Sequence, residues 1–440
     1  MVVCAALSDN GEFAHSSRHV VRGWHAQTPK RRSPTLRLRF QRPRSRPVNL
    51  LERLTSEGPK RILALDGGGI RGALILGYLE KIEEILRARH HKPDLLLCDY
   101  FDLIGGTSTG AIIAASLAIG NDVATIKDLY LRLGEKVFNT HKWWKWKRYW
   151  RHTFDAEHLR VELKSVFGNL TIGHRREKPL IENGKTQYIR TGLCVVAKRA
   201  DTGSTWPLAN HPNAIYHGPN AGILLRKLVR ASTAAPTFFE EERMDVGEGQ
   251  IGVFVDGGVS MANNPALQLF LLATLKGFRF NWQTGADKLL IVSVGTGAWR
   301  PISGIDSVTG ASKLSWAKSI PSVLMNDASR QNHLILQYLS NSATRTVIDS
   351  EIGDMSGDCL TTEPALTYLR YNVKLDENPL NSLGLSDLAS PSKLESLRKM
   401  EIGANVADLI RISDRAAEAD KALIDQQIPP VFDLWNTIPI

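Results

Sequence analysis

The amino-acid sequence predicts an α/β protein in which a mostly parallel sheet is covered by helices on both faces. From about Lys60, short apolar runs typical of buried strands alternate with segments whose apolar residues recur at helical spacing. Glycine-rich turns follow two of these runs, "DGGG" from Asp66 and "GGTSTG" from Gly105. A hydrophobic share of 43% over 440 residues is enough for one large domain or two smaller ones.

The strand and helix candidates follow one another in a regular order. Strands are predicted in the runs "RILALD", "YFDLIGG", "TGLCVVAKR", "IGVFVDGG" and "KLLIVSVGTG". Helices are predicted in "GALILGYLEKIEEILRAR", "STGAIIAASLAIG", "DVATIKDLYLRLGEKVF" and "DAEHLRVELKSVF", and from Pro265 to Lys276. Beyond Gly297 the pattern is largely helical, with a late strand in "ALTYLRYNVKL" and a final helix that begins at Ser390 and Pro391.

The chain divides into three regions by composition. Residues 1–58 form a basic leader: the first 50 residues hold ten Lys or Arg against two acidic residues, with prolines scattered among the arginines. This composition predicts disorder, and a transit segment, an arm for nucleic acid or anionic lipid, and a downstream translation start remain alternatives. Residues 59–300 form the α/β core, and residues 301–430 form a helical part that we expect to pack on the same domain.

The apolar runs and cysteines indicate where the protein functions. No run approaches the roughly 18 apolar residues of a spanning helix, and the N-terminus lacks the charged start of a secretory signal. Cys4, Cys98, Cys194 and Cys359 are far apart and in no metal-ligand spacing. We expect reduced thiols in a cytoplasmic protein, without a metal or a cofactor.

The first glycine-rich turn fits two kinds of anion site. Gly67, Gly69 and Gly72 satisfy G-x-G-x-x-G between a strand and a helix, as in dinucleotide-binding proteins. Free backbone N–H groups at a helix N-terminus serve an oxyanion equally well. Two observations favour the oxyanion: the second strand ends in "GGTSTG" instead of an acid for ribose hydroxyls, and Asp66 would crowd the phosphates.

The second turn predicts a catalytic serine. Gly106, Ser108 and Gly110 form G-x-S-x-G between a strand and a helix, the context of a nucleophile elbow; a Ser/Thr-rich helix cap is the alternative. After Val255 only His333 remains as a histidine, and its helical spacing predicts a structural residue. Asp256, at the end of a β-rich run, could instead accept the serine proton if its pKa is tuned by burial.

Taken together, these motifs resemble the patatin-like phospholipase family. The resemblance rests on "DGGGIRG" at Asp66, "GTSTG" at Gly106, "ASTAAPTFF" at Ala231 and "DGGVSMANNP" at Asp256, in that order. It implies a three-layer α/β/α fold and a Ser–Asp dyad that hydrolyses lipid esters without histidine or calcium. By position, Ser108 is the nucleophile and Asp256 the base. The residues implied in building or supporting the oxyanion hole are Gly67, Gly68, Gly69 and Arg71.

The resemblance also implies substrates and partners. The main expectation is a lipid acyl hydrolase acting on membrane phospholipids at the inner face of the membrane. Some bacterial members of the family are switched on by a cyclic nucleotide in anti-phage defence, so a gated effector is the alternative. A dinucleotide-dependent oxidoreductase is a remote alternative. No nucleic-acid polymer is expected as a partner, and homo-oligomerisation is left open.

A tryptophan-rich segment is the candidate membrane contact. In "HKWWKWKRYW", four of the chain's ten tryptophans lie among four basic residues. Indole rings beside cations suit the bilayer interface, although the same composition would also stack on nucleic acid or cover the core. The four tryptophans are Trp143, Trp144, Trp146 and Trp150.

Overall fold

The computed structural model describes residues 49–138, 156–236, 238–247, 249–299, 313–347 and 354–434, all within one compact unit. The helices are α1 Leu50–Thr55, α2 Ala73–Arg89, α3 Leu97–Tyr100, α4 Thr109–Ala118, α5 Val123–Lys136, α6 Ala156–Phe167, α7 His217–Asn220, α8 Leu225–Ser232, α9 Ala266–Thr274, α10 Lys313–Tyr338, α11 Glu377–Ser382, α12 Pro391–Leu397, α13 Val406–Ala419 and α14 Lys421–Gln427. The strands are β1 Lys60–Leu65, β2 Leu103–Thr107, β3 Leu180–Glu182, β4 Lys185–Gln187, β5 Gly192–Arg199, β6 Ser204–Ala209, β7 Glu242–Asp245, β8 Ile251–Asp256, β9 Leu289–Val294, β10 Ser340–Asn341 and β11 Leu366–Tyr371.

Nine of these strands form one mixed sheet. Its order is β10–β11–β9–β1–β2–β5–β8–β7, and β6 pairs with β5 away from this path. The strands from β10 to β5 run parallel to their neighbours, whereas β6, β7 and β8 pair antiparallel. The predicted α/β fold with a mostly parallel sheet is therefore confirmed, with an antiparallel extension at one side.

Alternating side chains of the sheet divide the core into two apolar layers. On β1, Leu63 and Leu65 belong to the larger cluster, which includes the apolar faces of α2, α4 and α5. Ile62 and Ala64, on the opposite face of the same strand, join α1 and α9 in a second cluster. Because successive residues of a strand point to opposite faces, this division produces three layers, helix over sheet over helix.

The C-terminal part supplies strands to the sheet in addition to helices. Strand β11 lies beside β9, with Leu369 opposite Val292, and β10 extends the sheet beyond it. Helix α13 packs along α2, where the Ser413 hydroxyl accepts a hydrogen bond from the Gly77 N–H at 3.0 Å. The helix predicted at Ser390 and Pro391 is present as α12, but it is not the last one, because α13 and α14 follow.

The end of the predicted leader is structured. Within residues 1–58, α1 buries Leu50 and Leu54 in the second apolar cluster, and Asn49 caps it by accepting from the Glu52 N–H. Leu50 and Leu54, one turn apart, thus give α1 an apolar face that packs on the core. Over the part of the chain that the structure describes, no helix has both the length and the hydrophobicity to cross a membrane.

Candidate active site

Ser108 lies in a strained turn between β2 and α4. Its backbone has φ of +56° and ψ of −128°, a conformation that side-chain-bearing residues seldom adopt. The flanking glycines make this turn possible: a Cβ on Gly106 would lie 2.2 Å from the carbonyl oxygen of Gly110, and one on Gly110 would lie 2.4 Å from that of Leu65. The turn therefore has the geometry of a nucleophile elbow, which presents the serine at the start of a helix.

Asp256 is hydrogen-bonded directly to this serine. The Ser108 Oγ donates to Oδ2 of Asp256 at 2.5 Å, and the Gly258 N–H donates to Oδ1 at 2.7 Å. The two residues meet because β2, β5 and β8 are successive strands of the sheet, so residues 148 positions apart in sequence reach one edge. The Gly258 amide thus holds one carboxylate oxygen in place, and the other oxygen can accept the serine proton.

Burial adjusts the basicity of Asp256. The residue is 4% exposed, and loss of solvation raises its pKa to about 6, while the hydrogen bonds from Ser108 and Gly258 and the charge of Arg230 act in the opposite direction. A carboxylate with a pKa near 6 is ionised at neutral pH and is a stronger base than an exposed aspartate. Asp256 can therefore accept the Ser108 proton without a histidine.

A second serine holds the turn in place. The Ser108 N–H donates to Oγ of Ser232 at 2.9 Å, and the Ser232 hydroxyl donates to the Val196 carbonyl at 2.6 Å. Two residues further along, the Ala234 carbonyl accepts from the Asp256 N–H at 2.9 Å. The "ASTAAP" motif thus fixes the backbone of both dyad residues, a role that its sequence alone did not assign.

The first glycine-rich turn lies beside the nucleophile. A Cβ on Gly67 would lie 3.1 Å from the Ser108 Cβ, so the loop that follows β1 is next to the serine. The Gly67 N–H already donates to the Asn263 carbonyl at 3.0 Å. Within the described part of the chain, the N–H groups of Gly68 and Gly69 have no acceptor, and Gly69 has φ of +59°. These two amides, and not that of Gly67, are therefore available for an oxyanion.

Arg71 supports this loop through an aromatic ring. Its guanidinium lies 4.9 Å from the ring centre of Trp299 and is buried, and its Nε and Nη1 have no hydrogen-bond partner among the described residues. Burial lowers the pKa of Arg71 to about 10, although the charges of Glu401 and Asp66 counteract this. Its structural contact is thus with Trp299, on the loop after β9.

Asp66, which precedes the glycines, is occupied by an ion pair. Arg370 of β11 donates to Oδ1 at 2.8 Å and to Oδ2 at 2.6 Å, and also to the Ser293 hydroxyl at 2.7 Å. The nearby Asp66 carboxylate raises the pKa of Arg370. Asp66 therefore anchors the start of the loop to the sheet.

His333, the other candidate side chain among the described residues, makes its contacts away from the dyad. His333 lies on α10, where its Nε2 is 3.0 Å from the Thr346 hydroxyl and its ring faces Tyr368. Burial lowers the pKa of His333 to about 3, consistent with the predicted structural role. The four tryptophans of the candidate membrane contact, Trp143, Trp144, Trp146 and Trp150, lie outside the described residues.

A serine in an elbow turn, hydrogen-bonded to a buried aspartate and close to glycine amides without an acceptor among the described residues, is an arrangement suited to ester hydrolysis without a catalytic histidine. Residues 63–270 match the family model of the patatin-like phospholipases, and this range includes the glycine loop, Ser108 and Asp256. The chain therefore carries a patatin-like phospholipase domain, as its motifs predicted. The first glycine-rich turn belongs to this domain and not to a dinucleotide-binding fold.

Several curated proteins are similar over this region. A cGAMP-activated phospholipase of Escherichia coli (strain TW11681) is 27% identical over 54% of this chain and 62% of its own length. A cUMP-AMP-activated phospholipase of Escherichia coli is 31% identical over 52% of this chain and 63% of its own. Patatin-16 of Solanum tuberosum is 24% identical over 78% of this chain and 83% of its own. The chain thus spans somewhat less than two thirds of the two bacterial relatives.

Proposed function

We propose that this protein is a lipid acyl hydrolase of the phospholipase A type, which cleaves fatty-acyl esters of membrane phospholipids. The observation that carries the proposal is the direct hydrogen bond from Ser108 to the buried Asp256, next to the amides of Gly68 and Gly69, which have no acceptor in the described part of the chain. The patatin-like domain and the phospholipase relatives support this substrate class.

The geometry supports a two-step reaction through an acyl-enzyme. Ser108 Oγ attacks the ester carbonyl while its proton moves to Oδ2 of Asp256, and the amides of Gly68 and Gly69 hold the oxyanion. When the tetrahedral intermediate collapses, the C–O bond to the alcohol breaks and the alcohol takes the proton from Asp256. Water then attacks the acyl-serine, with Asp256 again accepting a proton, and the fatty acid leaves as Ser108 regains its own.

Fatty-acid release from phospholipid vesicles tests the dyad. We expect release by the wild type and a loss of at least about 10³-fold in Ser108→Ala and Asp256→Asn, because each removes one half of the nucleophilic unit. Asp245→Asn, an exposed carboxylate on the neighbouring strand β7, should behave as wild type. Unaltered release by either dyad variant would contradict the mechanism.

A phospholipid substrate requires access to the bilayer, and we propose a peripheral association. The segment with Trp143, Trp144, Trp146 and Trp150 remains the candidate contact, on the strength of its composition alone. Replacing the four tryptophans with serine should reduce co-sedimentation with anionic vesicles and leave hydrolysis of a water-soluble ester intact. Unchanged sedimentation would remove this segment from the proposal.

Control by a cyclic nucleotide is the second candidate, as in an effector of anti-phage defence. It is supported by two similar bacterial proteins that are named for activation by cGAMP and by cUMP-AMP. Hydrolysis measured with and without a panel of cyclic di- and trinucleotides separates the two possibilities. A gated enzyme shows almost no hydrolysis until one nucleotide of the panel is added, whereas a constitutive enzyme hydrolyses the substrate equally fast with and without each nucleotide.

A further inference from the structure

The C-terminal segment Arg398–Glu401, which we call the clamp segment, lies directly against the glycine loop. The carbonyl oxygen of Met400 accepts a hydrogen bond from the Ile70 N–H at 2.9 Å. A Cβ on Gly69 would lie 2.4 Å from the same oxygen, so the two backbones are in close contact. The segment is far outside the matched family region, which ends at residue 270.

Two arginines share one tryptophan at this contact. The guanidinium of Arg71 lies 4.9 Å from the Trp299 ring centre, and that of Arg398 lies 5.8 Å from it. Arg398 is itself fixed, because its Nη2 donates to the Leu375 carbonyl and to Oδ1 of Asp376, each at 2.7 Å. A cation over an aromatic face is attractive, so Trp299 connects the clamp segment to the loop.

The glycine amides depend on their neighbours for position. Gly68 and Gly69 have no side chains, and their N–H groups make no bond within the described protein that would orient them. The loop is held on one side by Gly67, whose N–H donates to Asn263 and whose carbonyl accepts from the Thr296 hydroxyl at 2.8 Å. On the other side it is held by the bond from Ile70 to Met400.

We propose that Trp299 and Arg398 are positioning residues that hold the clamp segment on the glycine loop and so keep the Gly68 and Gly69 amides aligned with Ser108. This role rests on the proposed hydrolase function. A shift of about 1 Å in an oriented group can cost about a hundredfold in rate. Loosening the clamp segment should therefore lower the rate of acylation while the site remains able to bind substrate.

Two measurements on the full-length protein test the proposal: hydrogen exchange of the peptide that contains Ile70, and kcat and KM on a water-soluble p-nitrophenyl ester. In Arg398→Leu and Trp299→Leu we expect faster exchange of this peptide, with kcat about 10- to 100-fold lower and KM unchanged. Trp299→Phe keeps an aromatic face and should retain most of the rate. Lys399→Leu removes the neighbouring exposed charge, whose ion pair among the described residues is with Glu395, and should match wild type.

The outcomes separate the proposal from the function on which it rests. Unchanged exchange, faster exchange with unchanged kcat, or equal losses in Arg398→Leu and Lys399→Leu would each overturn the positioning role. If Arg398→Leu does not fold, Trp299→Phe and Trp299→Leu are compared by the same exchange and kcat measurements, and equal values in these two variants would overturn the positioning role. If wild type is no more active than Ser108→Ala, the hydrolase function is contradicted. The exchange data would still show whether Trp299 and Arg398 hold the clamp segment on the glycine loop.

Discussion

Burial makes Asp256 a stronger base, but it also makes the ionised carboxylate less stable in the folded protein. Its raised pKa of about 6 predicts the pH dependence of the reaction, since only the ionised carboxylate accepts the Ser108 proton. We expect kcat/KM on a soluble ester to rise about tenfold per pH unit below pH 6 and to level off above it. An inflection near pH 4 would show that the aspartate is not buried as the structure has it.

The same burial predicts a conflict between stability and function. The folded protein holds the Asp256 proton more tightly than the unfolded chain, where the pKa is 3.8, so stability falls as the pH rises from about 4 to about 6. Asp256→Asn removes this cost. Urea unfolding should find it more stable than wild type at pH 8, by on the order of 2–3 kcal/mol, and similar at pH 4. A variant less stable at pH 8 would contradict this.

Among single residues, the sequence could locate the candidate dyad but not the contacts that surround it. Ser108 and Asp256 could be recognised because each lies in a glycine-rich turn after an apolar run. The sequence could not show which glycine amides would be available to an oxyanion. The Gly67 N–H donates to the carbonyl of Asn263, which lies almost two hundred residues away in sequence. The role of Ser232 likewise depends on a contact across the sheet.

Among the elements, the β2–α4 turn tolerates little change. Gly106→Ala would place a methyl group 2.2 Å from the Gly110 carbonyl, so either the turn or the helix start must move. We expect a loss of roughly 1–3 kcal/mol in unfolding free energy and a larger loss of activity than of stability.

Gly222→Ala is the matched control, because a Cβ there has no neighbour within 4 Å. Thermal melting and ester hydrolysis of the two variants, measured side by side, check the expectation. Equal effects would mean that the close approach at Gly106 does not define the turn.

The elements that the sequence missed are short, polar or at the edges of the sheet. The buried strands β1, β2, β5 and β9 are apolar on both faces, which made them recognisable. Strand β7 has the sequence "ERMD" and lies at one edge, and β10 has two residues at the other. Such strands are defined by a neighbour's backbone and have no apolar pattern of their own.

Across the whole molecule, one buried ion pair connects the start of the catalytic region to its C-terminal part. Asp66 and Arg370 are both largely buried, and each satisfies the other through two hydrogen bonds. Removing one partner leaves an uncompensated charge in the interior. Arg370→Leu should therefore lower the unfolding free energy by about 3–5 kcal/mol.

Denaturant unfolding checks this value, with Arg411→Leu as the control. Arg411 pairs with Asp387 on the surface, where solvent screens the interaction, so its loss should leave the midpoint unchanged. If the two variants shifted the midpoint equally, the buried pair would not be what ties β11 to β1.

The central proposal for this protein is that Ser108 cleaves lipid esters. Mass spectrometry of a mixed membrane lipid extract, incubated with wild type or with Ser108→Ala, measures this directly. We predict free fatty acids and lysophospholipids with the wild type, in the presence of a cyclic nucleotide activator if one is required, and neither product with Ser108→Ala. The same products with both proteins, or none with wild type under any of the nucleotides, would contradict the account.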